Sequence, residues 1–195
     1  MKKILLITFL LIPFVGFTQT IKPIDGFLGI KFGSSKLAAI TSIKARGGVV
    51  ISNKKDELLV NNVKLGKRSV ETLIIRFVNN KAYQANFWFR PDVSGHAMDM
   101  YNEIVDDFAG VYGSGEVTKK YTDPYSANGD ASELELGLLS GKIDYHTDFT
   151  DNNNNYIEVE ISPIDSDLEI GVSYVSDALT QESEKAEDNK NKSDL

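Results

Sequence analysis

Two apolar runs, 70–78 and 82–90, face each other across Asn79-Asn80. Asparagine tolerates positive φ, so a two-residue turn there folds the runs back on each other as a β-hairpin. The first run carries Leu73, Ile74, Ile75, Phe77 and Val78. In the second, Tyr83, Ala85, Phe87 and Phe89 share one face, and Gln84, Asn86, Trp88 and Arg90 share the other. Alternation of period two requires a sheet with one dry face and a second face of different character. Arg90-Pro91-Asp92 ends the pair. A chain with this hairpin at its centre is built around antiparallel sheet.

Helical spacing appears on either side of it. Ser34 and Ser35 offer a hydroxyl cap to a first helix, in which Leu37, Ile40 and Ile43 recur at three-residue spacing. Gly47-Gly48 stops that helix, because glycine accepts the left-handed conformation at a helix end. Ser94 can cap a second. There Ala97, Tyr101, Ile104, Val105, Phe108, Val111 and Tyr112 form an apolar stripe, opposite Asp99, Glu103, Asp106 and Asp107. Gly113 ends it.

The remaining pattern is strand-like. Segments 49–52, 57–65, 116–122, 134–139, 142–149, 156–161 and 168–175 read as strands, with 151–155 a polar turn. Residues 20–25 read as an extended leader. Phe27, Leu28, Ile30 and Phe32 start a core strand or a tucked arm. The fold class is therefore α+β: two helices packed on antiparallel sheet, in the order α-β(n)-α-β(n). That order reads as a coarse two-fold repeat over 27–93 and 94–177 within one domain, 20–180. Residues 181–195 lose the apolar pattern and read as a disordered acidic tail.

The first nineteen residues address the chain. Lys2-Lys3 precedes an apolar run over 4–17 broken only by Pro13, and Gly16-Phe17-Thr18-Gln19 follows with small and polar residues. This is the layout of a secretory signal cut after Thr18 or Gln19. The run falls short of the roughly 20 residues of a spanning helix, so no transmembrane segment is expected after cleavage. The chain has no cysteine. No disulfide framework is possible, and neither is the cysteine at the cut site that lipid attachment requires. The expected product is periplasmic or extracellular and not lipid-anchored. Its net charge is about −9 once Lys2 and Lys3 are removed, against −7 for the whole chain. Nucleic acid is excluded as a partner on that balance, because phosphate binding depends on clustered lysine and arginine.

Gly29-Ile30-Lys31-Phe32-Gly33-Ser34-Ser35 followed by a short helix resembles the entry of small bacterial envelope domains. These are the SmpA/OmlA (BamE)-like assembly lipoproteins and the β-lactamase-inhibitory-protein-like domains. The stretch Phe77-Val78-Asn79-Asn80-Lys81-Ala82-Tyr83 resembles their next strand-turn-strand. Tyr101, Ile104, Phe108 and Tyr112-Gly113 resemble the following helix and its stop. The likeness covers residues 27–113 and departs from the lipoproteins in lacking their lipid-bearing cysteine. It implies a non-catalytic, protein-binding envelope module.

The residues offer little else for catalysis. There is no phosphate-binding glycine loop, no Gly-x-Ser-x-Gly elbow and no cysteine nucleophile. His96 and His146 lack the spacing of a zinc pair and read as a first-turn helix residue and a strand surface residue. Glu103, Asp106 and Asp107 read as a solvated helix face. The protein is not expected to be an enzyme, and no cofactor is expected. Two groups of candidates remain. Trp88 with Arg90, and Tyr121 with Tyr125 in the loop after the second helix, are candidate interaction residues, since tryptophan, tyrosine and arginine carry interface energy. Each could instead be packing: Trp88 under a covering layer, the tyrosines as loop pins. Asp148 and Asp151, with Asn152, Asn153 and Asn154, make an oxygen-rich stretch that suits calcium, or a plain turn. The leading expectation is a non-enzymatic module that binds another envelope or secreted protein through its sheet or loops. The alternative is an envelope small-ligand or cation-binding protein.

Overall fold

The computed structural model describes residues 22–91, 96–165 and 167–193. The signal-like segment 1–19 and the expected cap Ser94 lie outside them. The central hairpin is β7 (Thr72–Val78) and β8 (Lys81–Phe89), turned by Asn79 and Asn80 at φ 48° and 64°. Before it come a small hairpin, β1 (Gly26–Phe27) and β2 (Ile30–Lys31), and helix α1 (Lys36–Ala45). The Ser35 hydroxyl accepts from the Ala38 amide and caps that helix. Strands β3 (Val49–Lys54) and β4 (Glu57–Asn61) follow, then a second small hairpin, β5 (Val63–Leu65) and β6 (Arg68–Val70).

After the central hairpin runs α2 (Ala97–Tyr112), which buries Ala97, Tyr101, Ile104 and Phe108 and stops at Gly113, φ 84°. Then come β9 (Glu116–Tyr121), α3 (Ala131–Leu139), β10 (Ile143–Thr150), β11 (Tyr156–Ile164), β12 (Asp167–Val175) and α4 (Asp177–Ser193). Eight strands form one antiparallel sheet in the order β3-β4-β7-β8-β12-β11-β10-β9. The architecture is mixed α and β, on a large antiparallel sheet.

Register divides the sheet into two faces. Val60, Leu73, Phe87, Val172, Val159 and Thr147 are successive cross-strand partners and form one row of the packed face. Phe27 of β1 packs its ring on Phe87 and Tyr174 there. From α2, Phe108 meets Phe149 and Tyr174, and the Tyr101 hydroxyl hydrogen-bonds the buried Thr147 hydroxyl. Ala39 and Ile43 of α1 and Leu138 of α3 belong to the same core. On the opposite face the row beside it reads Asn86, Ser173, Glu158, Asp148, Glu116, and the next reads Trp88, Gly171, Glu160, His146, Thr118. Helix α4 leaves the end of β12 and lies against β7 and β8, where Glu182 accepts from Asn79 and Lys81.

Three elements differ from the sequence expectation. The described residues contain four helices, not two. Segment 134–139 was expected as a strand. It is helix α3, because Asp130 accepts from the Glu133 amide as an N-cap and Leu134, Leu138 and Leu139 then face the core together. The tail expected to be disordered is helical to Ser193. Its opening turns are closed by side chains, with Thr180 donating to the Ser176 carbonyl and Gln181 to Asp177, and its Ala, Glu, Gln and Lys content favours helix. The single strand expected over 57–65 breaks at Asn62, φ 58°, and turns out of the main sheet as β5.

Candidate functional site: the open sheet face

The face of β8 to β12 turned away from the core carries the chemistry. Trp88 is half-buried and lies outside the core cluster. Its position depends on Gly171, its partner on β12. A Cβ there would stand 3.0 Å from the indole and 2.8 Å from Glu160 Oε1. The bare backbone of β12 lets both side chains lie down across it. The result is an aromatic platform beside a carboxylate.

Arg90 continues the same face and is already engaged. Its Nε donates to Glu169 Oε1 at 2.9 Å and its Nη2 reaches the same oxygen. Glu169 is buried, so the guanidinium neutralises a charge that water cannot reach. Arg90 is thus a structural partner first. Tyr121 and Tyr125 are elsewhere: Tyr121 pairs with Ile143 on the packed face, and both tyrosines pack against the core beneath α3. They pin that helix and do not join Trp88.

Along β10 every second residue points to the open face, which places Asp144, His146 and Asp148 in line. Across on β11, Glu160 stands opposite His146 and Glu158 opposite Asp148, while Glu116 of β9 flanks Asp148 on its other side. His146 is fixed at one end. Its Nδ1–H donates to Asp144 Oδ1 at 2.7 Å, and Asp144 also meets the Lys120 ammonium at 3.5 Å. His146 Nε2 then faces Asp148 Oδ2 at 3.5 Å. Glu160 accepts from the Ser162 hydroxyl. Asp148 and Glu158 are left without a lysine or arginine partner among the described residues. Burial pushes both carboxyls above their ordinary range, neighbouring carboxylates push them further, and His146 alone offsets this. The Asp144–His146 pair holds the imidazole ring in place.

Asp151 was paired with Asp148 in the sequence reading, and the fold separates them. Asp151 Oδ1 accepts from the amides of Asn153 and Asn155, and Oδ2 accepts from the amide of Ile24. It closes the β10–β11 turn and ties down the N-terminal segment. Asn155 reinforces this through the Ile24 carbonyl. His96 precedes α2 and makes no side-chain cap.

A concavity lies on the packed side, between α2 and the β5–β6 hairpin. It is an apolar groove of about 400 Å³ lined by Leu65, Phe89, Ile104, Phe108, Tyr112 and Tyr174. Arg68 at its edge is held by Asp107 and Glu103.

Sequence reading missed His146 and Glu158 as members of one cluster. The signal was present in the alternation Asp144, His146, Asp148, facing Glu158 and Glu160 across a short polar turn. It needed the hairpin register to become a site. Among the described residues no helix is long and apolar enough to cross a membrane. Compared with known proteins, the chain matches no family model, no curated protein and no solved structure.

Proposed function

We propose that this protein is an exported, non-enzymatic binding module, periplasmic or extracellular and not lipid-anchored, that takes up another protein on the open face of its sheet. One observation carries the reading: Trp88 lies over Gly171 beside Glu160, on a face that bears carboxylates where the opposite face bears the core. Large aromatic groups that stay partly exposed on a strand are frequent anchors of interfaces. The surrounding Glu158, Glu160 and Asp148 select a partner segment rich in lysine or arginine. The order of elements supports reading the sheet as two related halves, a helix followed by four main strands on either side of the β8–β12 seam. On that reading the binding face spans the seam.

The test is capture from an envelope extract of the source cell, with the wild type beside Trp88→Ala and Glu160→Lys. Loss of one defined partner in both variants, with the fold and a cooperative melting transition retained, supports the assignment. Capture that survives both substitutions rules out this face. A second reading, a small apolar ligand, has the groove between α2 and the β5–β6 hairpin in its favour, since its volume lies in the range of ligand pockets. Substituting Ile104→Trp would fill the groove and abolish uptake of such a ligand while leaving partner capture intact.

A further inference from the structure

The cluster on β10 and β11 has a chemistry that goes beyond attracting a basic partner, because it sets an imidazole among its carboxylates. We propose that His146, Asp148 and Glu158 form a binding site for a divalent transition cation of the zinc or manganese type. The assignment stands independently of the partner assignment.

Four observations converge. First, one ligand atom from each of the three side chains lies within 4.8 Å of the others. Small side-chain rotations close that spacing onto a common ion, which prefers imidazole nitrogen and carboxylate oxygen at roughly 2.0–2.2 Å. Second, the imidazole is already oriented as a ligand. Asp144 holds Nδ1–H, so in the neutral ring the lone pair is on Nε2, the nitrogen that faces Asp148. A carboxylate on the far nitrogen is the common outer partner of a metal-bound histidine. Third, the sheet register sets Glu116, Asp148 and Glu158 side by side on three adjacent strands. Like charges directly opposite one another destabilise a sheet, and no lysine or arginine among the described residues sits on Asp148 or Glu158 to offset them. A cation between them does. Fourth, the other carboxylates nearby are committed to partners of their own, which sets Asp148 and Glu158 apart as the available ones: Glu160 to Ser162, Asp144 to His146 and Lys120, Asp151 to backbone amides.

The donor set decides the kind of ion. One imidazole with two carboxylates is a mixed nitrogen and oxygen site, which suits zinc or manganese. Calcium and magnesium prefer oxygen alone. Three protein ligands on an accessible face leave coordination positions that a water or a partner's side chain completes.

The experiment is titration of the purified, chelator-treated protein with zinc chloride and with manganese chloride, followed by calorimetry and by thermal melting. Calcium chloride is the control. The expected result is saturable uptake of one ion with a rise in melting temperature. Affinity should fall at least about tenfold in His146→Ala and Glu158→Gln, and by about tenfold or more in Asp144→Asn, whose role is to aim the ring. Histidine nitrogen resonances supply a readout that a merely structural role would not move: zinc should shift Nε2 of His146 and leave His96 unchanged. Glu158→Gln relieves charge repulsion and is expected to fold at least as well as the wild type, so lost uptake there is not lost folding. Uptake that persists in His146→Ala, calcium binding as tight as zinc, or no saturable uptake of either transition ion would each overturn the proposal.

Discussion

The two faces of the sheet are made by the same strands, yet they are governed by opposite physics. On the packed face Leu73, Phe87, Val172 and Val159 follow one another across four strands with essentially no exposure. Every group there has a neighbour, and even the buried hydroxyls of Tyr101 and Thr147 satisfy each other. One residue away along each strand, the other face sets Glu158 against Asp148 and lays Trp88 over a glycine. Its Asp148 and Glu158 are matched by no lysine or arginine among the described residues. The packed face is optimised for stability. The open face tolerates unfavourable neighbours that a partner or an ion would relieve, and natural sheets accept such costs where function lies.

The contrast can be broken most sharply at neighbouring positions of β8. Phe87 is fully buried and touches the rings of Phe27 and Tyr174. Phe87→Ala should cost about 3–5 kcal/mol in urea unfolding, the range for deleting a buried ring. Trp88→Ala, one residue on, removes a larger side chain but should cost only about 1 kcal/mol, while abolishing partner capture. If both cost the same, Trp88 is part of the core and the open face is misassigned.

Next in size is a comparison within one turn. Asp151→Ala strips acceptors from three backbone amides, those of Asn153, Asn155 and Ile24. A loss of about 1–3 kcal/mol is expected. Hydrogen exchange should quicken at Ile24. Zinc uptake should be unaffected. Asp148→Asn should show the reverse, with uptake lost and stability held.

These pairs also show what could be read from the chain. The central hairpin, helices α1 and α2 and most strands were legible, because their periodicity and their glycine, asparagine and serine punctuation are local signals. Segment 134–139 misled because leucines at 134, 136 and 138 satisfy a strand and leucines at 134 and 138 also satisfy a helix. Only the Asp130 cap and the packing on Ile143 decide between them. Helix α4 was hidden because it is held by Glu182 reaching Asn79 and Lys81, about a hundred residues back. The cluster was half visible. Asp148 was singled out, but its partners His146 and Glu158 became its neighbours only through the β10–β11 register. Asp151 looked equivalent from composition, and only its three backbone donors show that it is a turn residue.

The smallest effects separate the two kinds of acidic surface. Glu103 and Asp107 on α2 are paired with Arg68, whereas Asp148 and Glu158 are paired with no lysine or arginine among the described residues. In the metal-free protein at neutral pH, Glu158→Gln removes an opposed like charge and should stabilise by about 0.2–1 kcal/mol. Asp107→Asn should do the opposite, by a few tenths of a kcal/mol or roughly so, since half the side chain is in water and exposed pairs are worth little. The pH dependence follows from the sign of its shift. The hydrogen bond from Arg68 holds the Asp107 carboxyl below its ordinary value in the folded state. The unfolded chain therefore binds its proton first as acid is added. The pair's contribution is complete above the ordinary aspartate value and is lost as pH falls through the folded one. The gap in melting temperature between wild type and Asp107→Asn should close over that acid range. A gap that stays constant down to strong acid would mean that Arg68 is held by packing against α2, and that its charge pairing contributes nothing.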